Sequence, residues 1–177
     1  MDFDTESRPL TYLGSDYTTA EITAIASAWV GQRGSMESLI LGEMEGKDML
    51  LSFSKRWDEA DMVTGHNLIR HDLPRLNAML LEQGMPALGP KLVQDTYLHL
   101  KRKNGVSGSQ ESLAEMLGVK APKQGMSQVA WRQANRLLPE GLVKTRTRCV
   151  SDVVQHMALR AELLRLGWLR GPRVWRP

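Results

Sequence analysis

The fold of this chain is most restricted by four acidic residues carried in three short contexts far apart in the sequence. Asp4 and Glu6 lie in "FDTES", Asp72 in "TGHNLIRHDLPRL" and Asp152 in "RCVSDVVQHMAL". Alternate residues of a strand share a face, so Asp4 and Glu6 present two carboxylates side by side. Asp72 and Asp152 each open or line a helix-like apolar pattern. A fold that unites all four builds a crowded anionic site, in which like charges raise one another's pKa. Two divalent hard cations would relieve that crowding, because carboxylate oxygens suit Mg²⁺ or Mn²⁺.

Each acid alone admits a plainer reading. A lone D-x-E is commonly a solvated strand edge. Asp72 before Leu73-Pro74 has the form of a helix N-cap. Asp152 after Ser151 suits the first turn of a helix, where the dipole favours a negative charge. Cys149 and the ten methionines read as core filling. Trp131 reads as packing, and Asp95 as structural.

The surrounding pattern predicts an α/β domain. Residues 2–7, 22–30 and 36–41 read as three leading strands, the last two separated by the turn-like "GQRG". Residues 47–60 read as a helix with Met49, Leu50, Phe53 and Trp57 on one face. "DMVTG" is a short strand, 71–83 a helix, and "LVQDTYLHL" a strand end entering a helix. "SGSQESLAEMLG" carries a helix start and a Gly stop. Residues 126–137 and 150–167 read as two further helices. The order of elements predicts a mixed sheet flanked by helices. The tail "RGPRVWRP", residues 170–177, is basic and aromatic and is expected to be mobile beyond a single domain at 1–169.

Composition sets bounds on function. A chain of 177 residues is the size of one ordinary domain. No run approaches roughly 18 consecutive apolar residues, so no membrane span is expected. The start lacks a basic-then-apolar secretion signal. Cys149 is the only cysteine, which excludes an intrachain disulfide and a Cys-based zinc site. A cytoplasmic setting is expected. The net charge of +3 hides an asymmetry. Residues 1–98 carry 8 basic and 15 acidic side chains, a balance of −7, whereas residues 99–177 carry 15 and 5, a balance of +10. An acidic half beside a basic half suits metal ions plus a polyanion. The run Lys101, Arg102 and Lys103 is a candidate for the path of that polyanion.

Taken together, "FDTES", "GHNLIRHDLPRL" and "RCVSDVVQHMALRAEL" resemble, in order, the three motifs of the DEDD superfamily of 3′–5′ exonucleases (DnaQ-like proteins with a ribonuclease H-like fold). The resemblance spans roughly Met1 to Leu169. The second motif is closest to the exonuclease domains of B-family DNA polymerases, where an Asn five residues before the Asp is followed by "DLP"; here these are Asn67, Asp72, Leu73 and Pro74. The resemblance implies a ribonuclease H-like mixed five-stranded sheet. It implies that Asp4, Glu6, Asp72 and Asp152 hold two Mg²⁺ or Mn²⁺ ions for phosphodiester hydrolysis. It further implies release of nucleoside monophosphates from a single-stranded 3′ end, DNA favoured over RNA. Asn67, Lys123 and Arg148 are then candidates for nucleic-acid contact. A replication, repair or phage setting is implied, the host cytoplasm in the last case, with a polymerase or other replication protein as partner.

One departure from the family matters. Its branches carry a Tyr four positions, or a His five positions, before the last Asp. Here those positions hold Arg148 and Thr147. Arginine stays protonated and cannot serve as a general base, although it can neutralise charge or hold a phosphate. His156, one helical turn after Asp152, and His71, beside Asp72, are candidate replacements. A second class of function follows from the same departure: a catalytically weak relative that binds nucleic acid as an interaction module.

Overall fold

A computed structural model describes residues 1–10, 20–101, 108–121 and 123–177. Three leading strands, β1 (Asp2–Pro9), β2 (Ala20–Ala28) and β3 (Glu37–Ile40), form an antiparallel meander. Helix α1 (Gly46–Glu59), strand β4 (Met62–Gly65), helix α2 (Asp72–Glu82) and strand β5 (Lys91–Asp95) follow. Here β4 pairs parallel to β1, and β5 parallel to β4. Then come α3 (Thr96–Lys101), α4 (Gln110–Met116), α5 (Gln128–Asn135), α6 (Pro139–Arg165) and β6 (Arg173–Trp175). The sheet order is β3-β2-β1-β4-β5-β6.

The expected mixed sheet has six strands rather than five. The sixth comes from the tail expected to be mobile: Arg173–Trp175 pairs antiparallel with Lys91–Val93. The tail is held because Trp175 meets the edge of Trp57, with ring centroids 5.6 Å apart. In addition, the Gln94 side-chain amide donates to the Arg170 carbonyl at 2.7 Å. A short basic segment gives no strand signal of its own; the aromatic anchor and the open edge of β5 supply it.

Helices cover both faces of the sheet. On one face Phe3, Ile22, Ile25 and Val63 pack against Met49, Leu50, Phe53 and Trp57 of α1 and Leu73, Leu76 and Leu80 of α2. On the other, Ala24, Ala26 and Ala28 meet Leu142, Cys149 and Val153 of α6. Small side chains along β2 let α6 lie close to the sheet. Between Glu6 and Ser7 the register with β2 shifts, so that Thr23 is an extra residue on β2. Such a bulge bends a strand and re-aims its side chains.

Helix α6 begins at Pro139, not near 150. A proline fits the first helical position, but Thr145 and Thr147 weaken the local helix signal. Their hydroxyls donate back to the carbonyls of Gly141 and Val143, and packing overrides propensity. Gly141 is required where α6 crosses α5: a Cβ there would sit 2.3 Å from the Ala134 nitrogen. Of the run Lys101–Lys103, Arg102 and Lys103 lie outside the described residues.

Candidate metal centre

The site opens at the carboxyl ends of the parallel strands β1 and β4, where ligands gather in open α/β sheets. The two strands share only one register pair, Asp2 with Thr64, before they diverge. Gly65 ends β4 against β1; a Cβ there would stand 2.7 Å from the Phe3 carbonyl oxygen. Beyond this pinch lies a cleft of about 330 Å³, whose walls include Asp4, Glu6, Asp72 and Asp152.

Three elements deliver these acids. Strand β1 turns Asp4 and Glu6 toward α6. Helix α6 returns Cys149, Asp152 and His156 along one buried face, the spacing of a helix stripe. Oxygen atoms of Asp4, Glu6 and Asp152 lie within 4.8 Å of one another. Asp72 lines the same cleft beside this triplet. It is the first residue of α2, not its N-cap. Its Oδ1 accepts from the Thr5 backbone N–H at 3.1 Å and the Thr5 hydroxyl at 2.5 Å. The middle residue of "DTE" thus ties the first motif to the second.

Crowding has the expected electrostatic effect. Burial, then the charges of Asp72, Asp152 and Glu6, push Asp4 well above the usual carboxylate range. Burial raises Glu6, against the pull of Arg148. Burial likewise raises Asp152, against the hydrogen bond from Lys123. Among the described residues Asp4 has no ion pair. The Cys149 thiol donates to the Asp4 carbonyl oxygen at 3.4 Å. Burial and the neighbouring Asp4 charge push this thiol well up, so Cys149 is packing rather than a nucleophile.

Two cations enter the acidic cluster. Lys123 Nζ lies 2.8 Å from Asp152 Oδ2. Arg148 Nε lies 2.6 Å from Glu6 Oε1, and its Nη2 is 3.9 Å from Asp152 Oδ2. The Arg148 guanidinium also donates to the Gln124 carbonyl at 3.1 Å and stacks 5.3 Å from the Trp131 ring centroid. Trp131, read as packing from the sequence, therefore belongs to the cleft wall. Its position one turn into a short helix gives no sequence signal for that.

The donor set fits a divalent cation. All its oxygens come from carboxylates, the ligand type that hard cations prefer. One donor is already orphaned: Asp152 is 3% exposed, and its Oδ1 has no hydrogen-bond partner. A buried acceptor without a partner costs about 1–3 kcal/mol, a cost that a cation at this atom would remove.

The structure separates the other candidate residues. Asn67 lines the cleft in a left-handed conformation, φ 68°, and its Oδ1 is buried without a partner. Asp95 holds the loop that carries it, accepting from the backbone N–H groups of Asn67, Ile69 and Leu98. His71 stands on the cleft wall, its Nδ1 3.7 Å from Asp72 Oδ2. His156 is not on that wall. It is buried, with Nδ1 2.7 Å from Asp2 Oδ2 and Nε2 3.0 Å from the Thr96 hydroxyl.

That hydroxyl also meets His66 Nδ1 at 2.9 Å. His66 Nε2 lies 2.6 Å from the Gly108 carbonyl, which only accepts, so Nε2 carries the proton. Burial lowers the His66 pKa from 6.5 to about 4. The neutral ring therefore accepts from Thr96 at Nδ1. No sequence pattern assigns a role to Asp2, His66 or Thr96 individually; their roles depend on three elements meeting.

This ribonuclease H-like arrangement of sheet and helices recurs among solved structures. The family B DNA polymerase from the hyperthermophilic archaeon Pyrobaculum calidifontis superposes with a TM-score of 0.73 at 17% identity. The match covers 92% of this chain and 24% of the polymerase, so the chain spans about a quarter of that protein's length. No protein-family model matches the sequence, and no curated protein is similar to it. Among the described residues no helix is long and apolar enough to cross a membrane.

Proposed function

We propose that the chain is a metal-dependent 3′–5′ exonuclease that removes nucleoside monophosphates from single-stranded 3′ ends, with DNA favoured over RNA. One observation carries this reading: Asp4, Glu6 and Asp152 converge within 4.8 Å in a cleft whose wall also bears Asp72. Asp4, Glu6, Asp72 and Asp152 would hold Mg²⁺ or Mn²⁺, which supplies Lewis-acid charge for activating water and neutralising phosphate. Thr5 holds Asp72 in a fixed rotamer, and Asp95 fixes the Asn67 loop against which a terminal nucleotide would rest. Arg148, on the Trp131 ring, offers a charged fork for a phosphate oxygen.

The test uses a 5′-labelled single-stranded oligonucleotide with Mg²⁺ or Mn²⁺. A ladder shortening from the 3′ end, with mononucleotide product, is expected. Asp4→Ala, Glu6→Ala, Asp72→Ala and Asp152→Ala should each lower turnover by at least about a hundredfold. Full activity in the Asp4 or Asp152 variant would sink the assignment.

The ion pairs of Glu6 with Arg148 and Asp152 with Lys123 favour a second reading, a nucleic-acid-binding module with little turnover, in the company of a polymerase or another replication protein. Tight binding of the oligonucleotide with no product at any metal concentration would select it.

A further inference from the structure

We infer that the carboxylate site takes one divalent cation rather than two, with the Arg148 guanidinium standing in for the second. The inference rests on the metal-dependent reading above and concerns the charge that the site can accept. Asp4, Glu6, Asp72 and Asp152 bring four negative charges when ionised. Lys123 and Arg148 bring two positive charges into the same cleft. One divalent cation completes neutrality, whereas a second would leave a buried excess of positive charge. Such an excess is costly beside side chains as buried as Asp72 and Asp152.

Geometry makes Arg148 the resident of the two. Glu6 and the Gln124 carbonyl hold its guanidinium, and the Trp131 ring lies alongside. It leaves the same helix as Asp152, four residues earlier, so α6 fixes the separation of the cation from that acid. A guanidinium does not lose its proton. Lys123 has, among the described residues, one ion-pair partner, Asp152 Oδ2, and lies outside every helix and strand; it completes the charge count and leaves Asp152 Oδ1 open, but is held less firmly than Arg148. Arg148 occupies Glu6 Oε1 and leaves Oε2 for a metal. The donors left over are Asp4, which has no ion pair among the described residues, Glu6 Oε2, the orphaned Asp152 Oδ1 and, beside this triplet, Asp72 Oδ2. The buried Asp152 Oδ1, on a residue 3% exposed, is the independent sign that a cation belongs here.

The test is a titration of the metal-free protein with MnCl₂ by calorimetry, paired with electron paramagnetic resonance of the bound ion. The wild-type chain should bind one Mn²⁺ and give the resolved six-line spectrum of an isolated ion. Arg148→Met should bind two and give the broadened spectrum of a coupled pair. Arg148→Lys, which keeps the charge, should stay at one. Two ions in the wild-type protein, or one in Arg148→Met, would overturn the inference and leave the metal-dependent reading standing. Absence of Mn²⁺ binding in both would remove the inference and that reading together. The wild-type spectrum decides the point even if Arg148→Met does not fold.

Discussion

At the scale of single residues, the cleft stores unfavourable charge. Burial and mutual repulsion raise Asp4, Glu6 and Asp152, so the folded chain holds their protons more tightly than the unfolded chain. That stabilising contribution is complete at pH below the ordinary carboxylate values, and it is lost as pH rises through the raised ones. Asp4→Asn removes the acid that has no ion pair among the described residues and should stabilise the metal-free protein at pH 8. A gain on the order of 1 kcal/mol would move Tm by about 2–4 °C; a lower Tm would show that Asp4 is compensated. His66 works in the opposite sense. Its pKa falls from 6.5 to about 4, so its stability contribution is present above 6.5 and is lost as pH falls toward 4. The drop corresponds to about 3 kcal/mol. His66→Gln should flatten the dependence of Tm on pH across that window relative to wild type, and parallel curves would refute the assignment.

At the scale of elements, the crossing of α5 and α6 couples packing to the site. A Cβ at position 141 would strike the Gln133 and Ala134 backbone, and backbone cannot swing aside as a side chain can. Gly141→Ala should cost about 1–3 kcal/mol in chemical denaturation, and it should shift α5, which carries Trp131 beneath Arg148. An unchanged denaturation midpoint would mean that the helices separate freely. Deletion of residues 170–177 should likewise destabilise by on the order of 2 kcal/mol, because Trp175 leaves Trp57 and the β5 edge opens. The elements legible in the sequence were those with a strong apolar pattern: α1 through Met49, Leu50, Phe53 and Trp57, and β2 through Ile22, Ala24, Ile25, Ala26 and Ala28. The start of α6 and the β6 strand were not, because threonines and a basic tail carry weak local preferences that tertiary contacts override. The acids of the site were legible as motifs. The cations inside it were not: nothing in "APKQGM" or "TRTRCV" shows that Lys123 and Arg148 turn toward carboxylates rather than solvent.

At the scale of the whole molecule, the charge asymmetry acquires a spatial form. The acidic half of the sequence supplies strands β1–β5 and helices α1 and α2, the basic half supplies α4–α6 and β6, and α3 lies astride the division. Beside Ile69 and Asp95, which holds the Asn67 loop, Arg70, His99, Arg170 and Arg173 surround a second pocket of about 430 Å³. Burial and the nearby Arg173 and Arg170 charges lower the His99 pKa, so near neutral pH the field there comes from the three arginines. Asp95, the acid in this pocket, has both carboxylate oxygens occupied by backbone N–H groups. If the proposed substrate runs from the cleft past Asn67 to these arginines, its phosphates would release counterions on contact. For single strands the slope of log affinity against log salt changes by about 0.7 for each phosphate neutralised. Joint replacement of Arg70, Arg170 and Arg173 by Ala should therefore flatten that slope by roughly 2, measured by fluorescence anisotropy of a labelled oligonucleotide over a salt series. The cleft acids should stay in place, so Mn²⁺ binding should be unchanged in the same triple variant. A slope that does not move would put the strand on another path and leave these arginines as a solvated face.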